Sequence, residues 1–290
     1  MRIETTTIRT PDDRDLCIES FGSPSSPAIV FLSGTYEGRT LYPGLVESVK
    51  RHGLFVIGYD RPGYGGSSPL PGRVIADIAK DLRAISLHFQ LSRLLTLGFS
   101  GGGSHAVAAA ALLPDLVSAS VAFCPIKPID VDVKIDYVEP SDDESAPFAN
   151  SALNREDLRD YARKERNEIL AIDHDGIVAG NLNFAEKQRV SLAFLEFHYG
   201  SMKAALATGI EGCAGDLEAY YTPWGVDLAS NQVPIKIWHG KADATVPYAH
   251  GQWLAGNTPH TELQLTEEDS HRSIFENSFE EAMGWLLRYK

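Results

Sequence analysis

The sequence predicts an α/β fold: a mostly parallel central sheet with helices on both faces, interrupted by an inserted helical stretch. Three observations carry that reading. Short continuous apolar runs such as Ala28-Ile29-Val30-Phe31-Leu32 alternate with segments of helical period, the pattern of strands buried on both faces and their crossover helices. The run Leu94-Leu95-Thr96-Leu97 breaks at Gly98 into a serine-bearing turn and then an alanine-rich stretch. The alternation stops after Cys124-Pro125 and resumes at Val233.

Residues 3–8 and 16–21 alternate in strand fashion around Pro11-Asp12-Asp13, which predicts an opening antiparallel hairpin. A Ser/Pro-rich loop at 22–27 leads into the buried strand 28–32. A helix over 41–52 ends at Gly53, and a strand occupies 54–59. Ile75, Ile78, Ala79, Leu82, Ile85 and Phe89 mark a helix over 74–89. The strand at 94–97 and its helix follow, then a strand at 117–123. Residues 130–145 are acidic and punctuated by proline, and read as a loop. A helix over 154–172 has Asn154 and Asp157 as its N-terminal cap and Leu158, Tyr161 and Ile169 on its apolar side. A second helical stretch covers 184–206 and a short third covers 216–221. Strand 233–238, helix 246–255, strand 261–265 and helix 274–288 complete the chain. The domain reading is therefore a core in two parts, 1–126 and 229–290, with a helical insertion at 127–228.

Composition narrows the function. The 290 residues are 43% hydrophobic and 22% charged, enough apolar content for a large core. A net charge of −13 with no clustered basic face argues against a nucleic-acid partner, and the acidity reads as solubility. Cys17, Cys124 and Cys213 have neither metal-ligand spacing nor a paired framework, which suits a reducing compartment. Met1-Arg2-Ile3-Glu4-Thr5 is too polar for a signal peptide, and no apolar run approaches membrane-spanning length. The expectation is a soluble cytoplasmic protein with no membrane partner; a homo-oligomer stays open.

The chemistry centres on Gly98-Phe99-Ser100-Gly101-Gly102, a G-x-S-x-G nucleophile elbow in the strand–turn–helix context that gives the motif meaning. Ser100 must sit in a tight, strained turn, and a side chain at Gly98 or Gly102 would collide with the neighbouring strand or helix. The Gly101 N–H, at the positive end of the new helix, points toward a developing oxyanion. A phosphate loop would need a lysine after its glycines, and none follows. A serine needs a base and the base an orienting carboxylate. Asp243 follows strand 233–238, and His271 follows strand 261–265, both at strand C-termini where catalytic groups of open α/β sheets gather.

The chain order Ser100, Asp243, His271 resembles that of the α/β-hydrolase superfamily. Three more stretches carry the resemblance: Asp60-Arg61-Pro62-Gly63-Tyr64-Gly65-Gly66-Ser67, Asp243 with Val246-Pro247, and His271-Arg272-Ser273. The resemblance covers both ends of the chain. It implies an α/β-hydrolase fold with the insertion as a cap, and a Ser100–His271–Asp243 triad. In place of the family's usual His-Gly this chain has Ser33-Gly34-Thr35, and by position the resemblance assigns the other oxyanion donor to the Thr35 N–H beside Gly101. Ser270 stands where a glycine usually precedes the histidine.

The expected reaction is hydrolysis of a small to medium, largely apolar ester or lactone, with no cofactor and no metal. The resemblance equally implies that this triad can run carbon–carbon bond hydrolysis, amide cleavage, lyase chemistry or peroxidation. A ligand receptor on a hydrolase scaffold is the non-enzymatic alternative. His239 and His105 are expected to pack rather than catalyse, and His88, His198, His250 and His260 lack ligand spacing. Phe194, Phe197, Tyr199, Tyr220, Tyr221 and Trp224 are expected mainly to pack helices, some of them roofing the pocket.

Overall fold

The computed structural model describes residues 2–129, 154–178 and 190–290. In chain order the elements are β1 (Glu4–Arg9), β2 (Asp15–Gly22), β3 (Ala28–Leu32), α1 (Pro43–His52), β4 (Phe55–Tyr59), α2 (Ile78–Phe89), β5 (Leu94–Phe99), α3 (Gly101–Leu112) and β6 (Val117–Phe123). Then come α4 (Arg155–Ala171), α5 (Leu192–Leu206), α6 (Glu211–Tyr220), β7 (Ile235–Gly240), α7 (Ala249–Asn257), β8 (Thr261–Thr266) and α8 (Ser273–Leu286). The strands form one sheet in the order β1-β2-β4-β3-β5-β6-β7-β8. β2 pairs antiparallel with β1 and with β4; every other pairing is parallel.

Burial follows position in the sheet. Every residue of β3, β4 and β5 is buried, whereas β1 and β8 at the edges alternate with solvent. That is why the central strands read as unbroken apolar runs. One core cluster joins one sheet face to α2, α3 and α7, through residues such as Ile57, Leu82, Val107 and Leu254. Another joins the opposite face to α1 and α8, through Val49, Leu97, Phe275 and Met283. Complete burial of each such side chain is worth about 1.5–3 kcal/mol.

Helices α4 to α6 lie between β6 and β7 in sequence although those strands pair directly. They have their own apolar cluster, which includes Leu158, Met202, Leu206 and Leu217 together with Tyr64 from the loop after β4. Asn154 caps α4: its Oδ1 accepts the N–H groups of Glu156 at 2.8 Å and Asp157 at 3.2 Å, while Asp157 Oδ2 accepts the Asn154 N–H at 3.0 Å. The loop expected at 130–145 lies outside the described residues, as do residues 184–189 of the second helical stretch.

Two of the boundaries that differ from the sequence reading do so for visible physical reasons. The third inserted helix starts at Glu211 rather than Asp216, because Gly212 and Gly215, poor helix formers, are retained for close packing. A Cβ at Gly212 would stand 2.5 Å from the Tyr64 ring. The helix expected from 246 starts at Ala249, because Asp243 Oδ1 accepts the N–H groups of Thr245 at 2.9 Å and Val246 at 2.8 Å and holds them in a turn.

Candidate active site

β3 has β4 on one side and β5 on the other, so the order in which strands are added to the sheet reverses between β3 and β5, which run parallel. Ligand sites of open α/β sheets lie at such a switch point, beyond the strand C-termini. Ser100 stands there, between β5 and α3, with φ 54° and ψ −122°. A non-glycine residue in that conformation is strained. The turn is pinned by the Ser100 N–H to Phe123 O at 2.8 Å and the Gly103 N–H to Ser100 O at 2.8 Å. A Cβ at Gly98 would come 2.2 Å from Gly102 O, and one at Gly102 would come 1.9 Å from Leu32 O. Only glycines allow strand, turn and helix to approach this closely.

The structure brings the three expected side chains together. Ser100 Oγ lies 3.0 Å from His271 Nε2, and His271 Nδ1 lies 2.7 Å from Asp243 Oδ2. Burial alone would push the Asp243 carboxyl up; His271 and His239 beside it hold it well below the usual carboxylate range. The neighbouring acids are engaged elsewhere. Asp269 Oδ1 accepts Ser273 Oγ at 2.9 Å and Asn277 Nδ2 at 2.7 Å, and Glu267 pairs with Lys241 at 2.7 Å. Ser270, where the family prefers glycine, has no left-handed φ; its N–H donates to Ser273 Oγ at 2.9 Å, so the loop needs no glycine there.

Around Asp243 sit residues that sequence reasoning treated as packing. His239 is fully buried, with Nε2 donating to Val246 O at 2.8 Å and lying 3.4 Å from Asp243 Oδ2. Cys124, His239 and Asp243 bring their ligand atoms within 4.8 Å of one another. Both Asp243 oxygens already accept hydrogen bonds, and burial pushes the Cys124 thiol far up, away from thiolate. The cluster therefore reads as the support of the carboxylate. His105 and His250 are buried, and burial lowers both to about 3. His105 Nδ1 donates to Gly101 O at 2.8 Å, so this imidazole packs as expected.

Thr35 lies in loop 33–38 after β3, and Gly101 is the first residue of α3, where an N–H has no partner within the helix. The loop is held almost entirely by side chains. Arg61 donates from Nη1 to Ser33 O at 2.5 Å and from Nη2 to Gly34 O at 2.8 Å. Glu37 Oε2 accepts the Gly34 N–H at 3.0 Å, and its other oxygen meets His198 of α5. Burial opposes ionisation of Glu37, but His198 and the Gly34 N–H keep its carboxyl below the ordinary value.

Arg61 also reaches Asp216 of α6 at 2.6 Å, and Arg73 reaches the other Asp216 oxygen at 2.6 Å. All three are buried. Against the burial cost, Arg61 and Arg73 keep Asp216 well below the usual carboxylate range. Tyr64 Oη donates to Asp216 Oδ2 at 2.8 Å and accepts the Tyr36 N–H at 3.0 Å. Tyr220 Oη, at the end of α6, lies 3.0 Å from Thr35 Oγ1. Arg39 pairs with Asp60 and Glu19. Trp224 is buried in the core cluster with α3, and Phe197 packs on Tyr42. Nothing in local spacing announces the Arg61–Asp216 link, which spans 155 residues.

The sequence matches the family described as alpha/beta hydrolase fold over residues 27–278. Among solved structures it is similar to an esterase from Exiguobacterium antarcticum, at TM-score 0.72 and 21% identity over 99% of both chains. An enol-lactonase from Burkholderia xenovorans superposes at TM-score 0.69 with 17% identity, over 98% of this chain and 100% of that one. Among curated proteins, the 2-succinyl-6-hydroxy-2,4-cyclohexadiene-1-carboxylate synthase of Salmonella agona is 33% identical over 89 residues, 31% of this chain and 34% of that protein. The chain thus spans about a third of the length of the curated relatives it matches.

Proposed function

Because the chain belongs to the alpha/beta hydrolase family, we propose that it is a serine hydrolase cleaving small to medium, largely apolar carboxylic esters or lactones, without a cofactor. Ser100 Oγ attacks the carbonyl carbon while His271 Nε2 takes its proton; Asp243 holds the Nδ1 proton and stabilises the imidazolium. The carbonyl oxygen, now negative, is received by the N–H groups of Thr35 and Gly101. His271 then protonates the leaving oxygen, and water, activated by the same imidazole, hydrolyses the acyl-enzyme. The inserted helices act as a cap over the strand ends and set substrate shape.

The observation that carries this reading is the continuous relay Ser100–His271–Asp243, at 3.0 and 2.7 Å, starting from a strained elbow. The synthase relative favours a second reading in the same site: chemistry other than hydrolysis run by the same triad. An esterase and a lactonase among the similar folds favour the first. The test is labelling with a fluorophosphonate, located by mass spectrometry, followed by stopped-flow turnover of graded acyl esters and lactones. A label on Ser100 and a burst followed by sustained turnover are expected. A label elsewhere removes Ser100 as nucleophile. A single burst without further release points to a receptor.

A further inference from the structure

The residue after the nucleophile is Gly101, and the space its side chain would fill is occupied. A Cβ there would stand 2.0 Å from Tyr220 Oη and 2.4 Å from Thr35 Oγ1. Two hydroxyls, 3.0 Å apart, therefore lie directly against Gly101, one of the two expected oxyanion donors, and one of them belongs to Thr35, the other donor. Tyr220 is fully buried, and Thr35 is half-buried. A hydroxyl in so dry a place must be hydrogen-bonded to be tolerated.

The pair is also held in register from below. Asp216 stands four residues before Tyr220 on α6, one helical turn back. The Arg61 that binds Asp216 holds the carbonyls of Ser33 and Gly34, immediately before Thr35. One buried guanidinium thus fixes both elements that contribute a hydroxyl. Such fixed donors cost no reorganisation when charge develops.

We propose that Tyr220 is a catalytic residue delivered by the inserted helices: with Thr35 Oγ1 it forms a hydroxyl pair that donates a side-chain hydrogen bond to the oxyanion, beside the two backbone N–H groups. This rests on the reading of Ser100 as the nucleophile. It gives the insertion a part in the chemistry as well as in substrate shape, and it explains why the position after the nucleophile is glycine: any larger residue would expel the hydroxyls.

Tyr220→Phe keeps the ring and removes the hydroxyl. With an activated ester, kcat is expected to fall about 100-fold, the scale of losing one oxyanion donor, with KM little changed. A trifluoromethyl ketone tests the charge directly. Ser100 Oγ adds to its carbonyl carbon, the serine proton passes to His271, and the ketone oxygen becomes the oxyanion. Its affinity should fall in parallel with kcat/KM. Thr35→Val, which leaves the ring and the backbone N–H in place, should show the same loss, and the double variant should lose little more than either single one. Thr35→Val carries the test alone if Tyr220→Phe does not fold. Wild-type kcat and ketone affinity, or a change confined to KM, would overturn the proposal. Fluorophosphonate labelling of the wild-type protein separates the two failures. If Ser100 is not labelled, the hydrolase reading falls first; if it is labelled and Tyr220→Phe turns over normally, only the role of Tyr220 falls.

Discussion

The Ser100–His271–Asp243 relay and the loop at 33–38 occupy the same end of the sheet, yet they are held in opposite ways. The acid and the base of the relay are supported mainly by neighbours in their own short stretches. Asp243 is held by Thr245, Val246 and His239, and Ser270 and Ser273 brace one another around His271. Loop 33–38 depends on distant residues: Arg61, Asp216, His198 and Tyr220. A locally braced group can be changed with its surroundings intact. A loop held by a buried ion pair cannot, because removing one partner leaves the others charged and unpaired.

Substitutions should separate the two regions. The largest effect is expected for Ser100→Ala, a loss of about 10⁶ in kcat with the unfolding midpoint unchanged, since members of a triad act as a unit. Asp243→Asn should lower kcat by about 10⁴ through the wrong histidine tautomer, while Asp269→Asn, whose carboxylate accepts the side chains of Ser273 and Asn277, changes it far less. The reverse order of these two would reassign the acid.

Asp216→Asn should do the opposite, leaving the relay in place while destabilising the fold by about 3–5 kcal/mol, as two buried guanidinium groups lose their shared anion. Urea unfolding measures it. A midpoint shift no larger than that of Asp243→Asn would remove the contrast between the regions.

The last effect is a pH dependence of stability, read as a slope. His105 and His250, lowered to about 3 by burial, stay neutral in the folded protein, while the unfolded chain protonates them near 6.5. The unfolded state then binds more protons between these values, so their contribution is complete above pH 6.5 and declines as pH falls toward 3. Tm should decrease steadily over that window, and His250→Asn should flatten the slope. An unchanged slope would place the proton uptake elsewhere.

Much of this arrangement is legible in the sequence. Every strand core and the closing helix follow from period and apolar run length, and the elbow glycines follow from the need for close approach. Ser100, Asp243 and His271 were legible because each sits just beyond a strand end in a short motif. Misjudged boundaries occur where tertiary contact overrides propensity, at Gly212 against Tyr64 and at Val246 turned back toward Asp243. His239 read correctly as packed, but its approach to Asp243 was not visible.

Local patterns in the chain thus set the layered α/β architecture and the order of the chemical groups along it, because propensity, periodicity and turn chemistry act over a few residues. What braces loop 33–38 and what fills the space beside Gly101 came from packing between distant elements. Those answers depend on which helix crosses which strand end, and on burial that makes one aspartate between two arginines far more consequential than the same residues in water. Arg61 and Asp216 lie 155 positions apart, and Thr35 and Tyr220 lie 185 apart. No local pattern can register a contact whose strength exists only once the chain has folded around it.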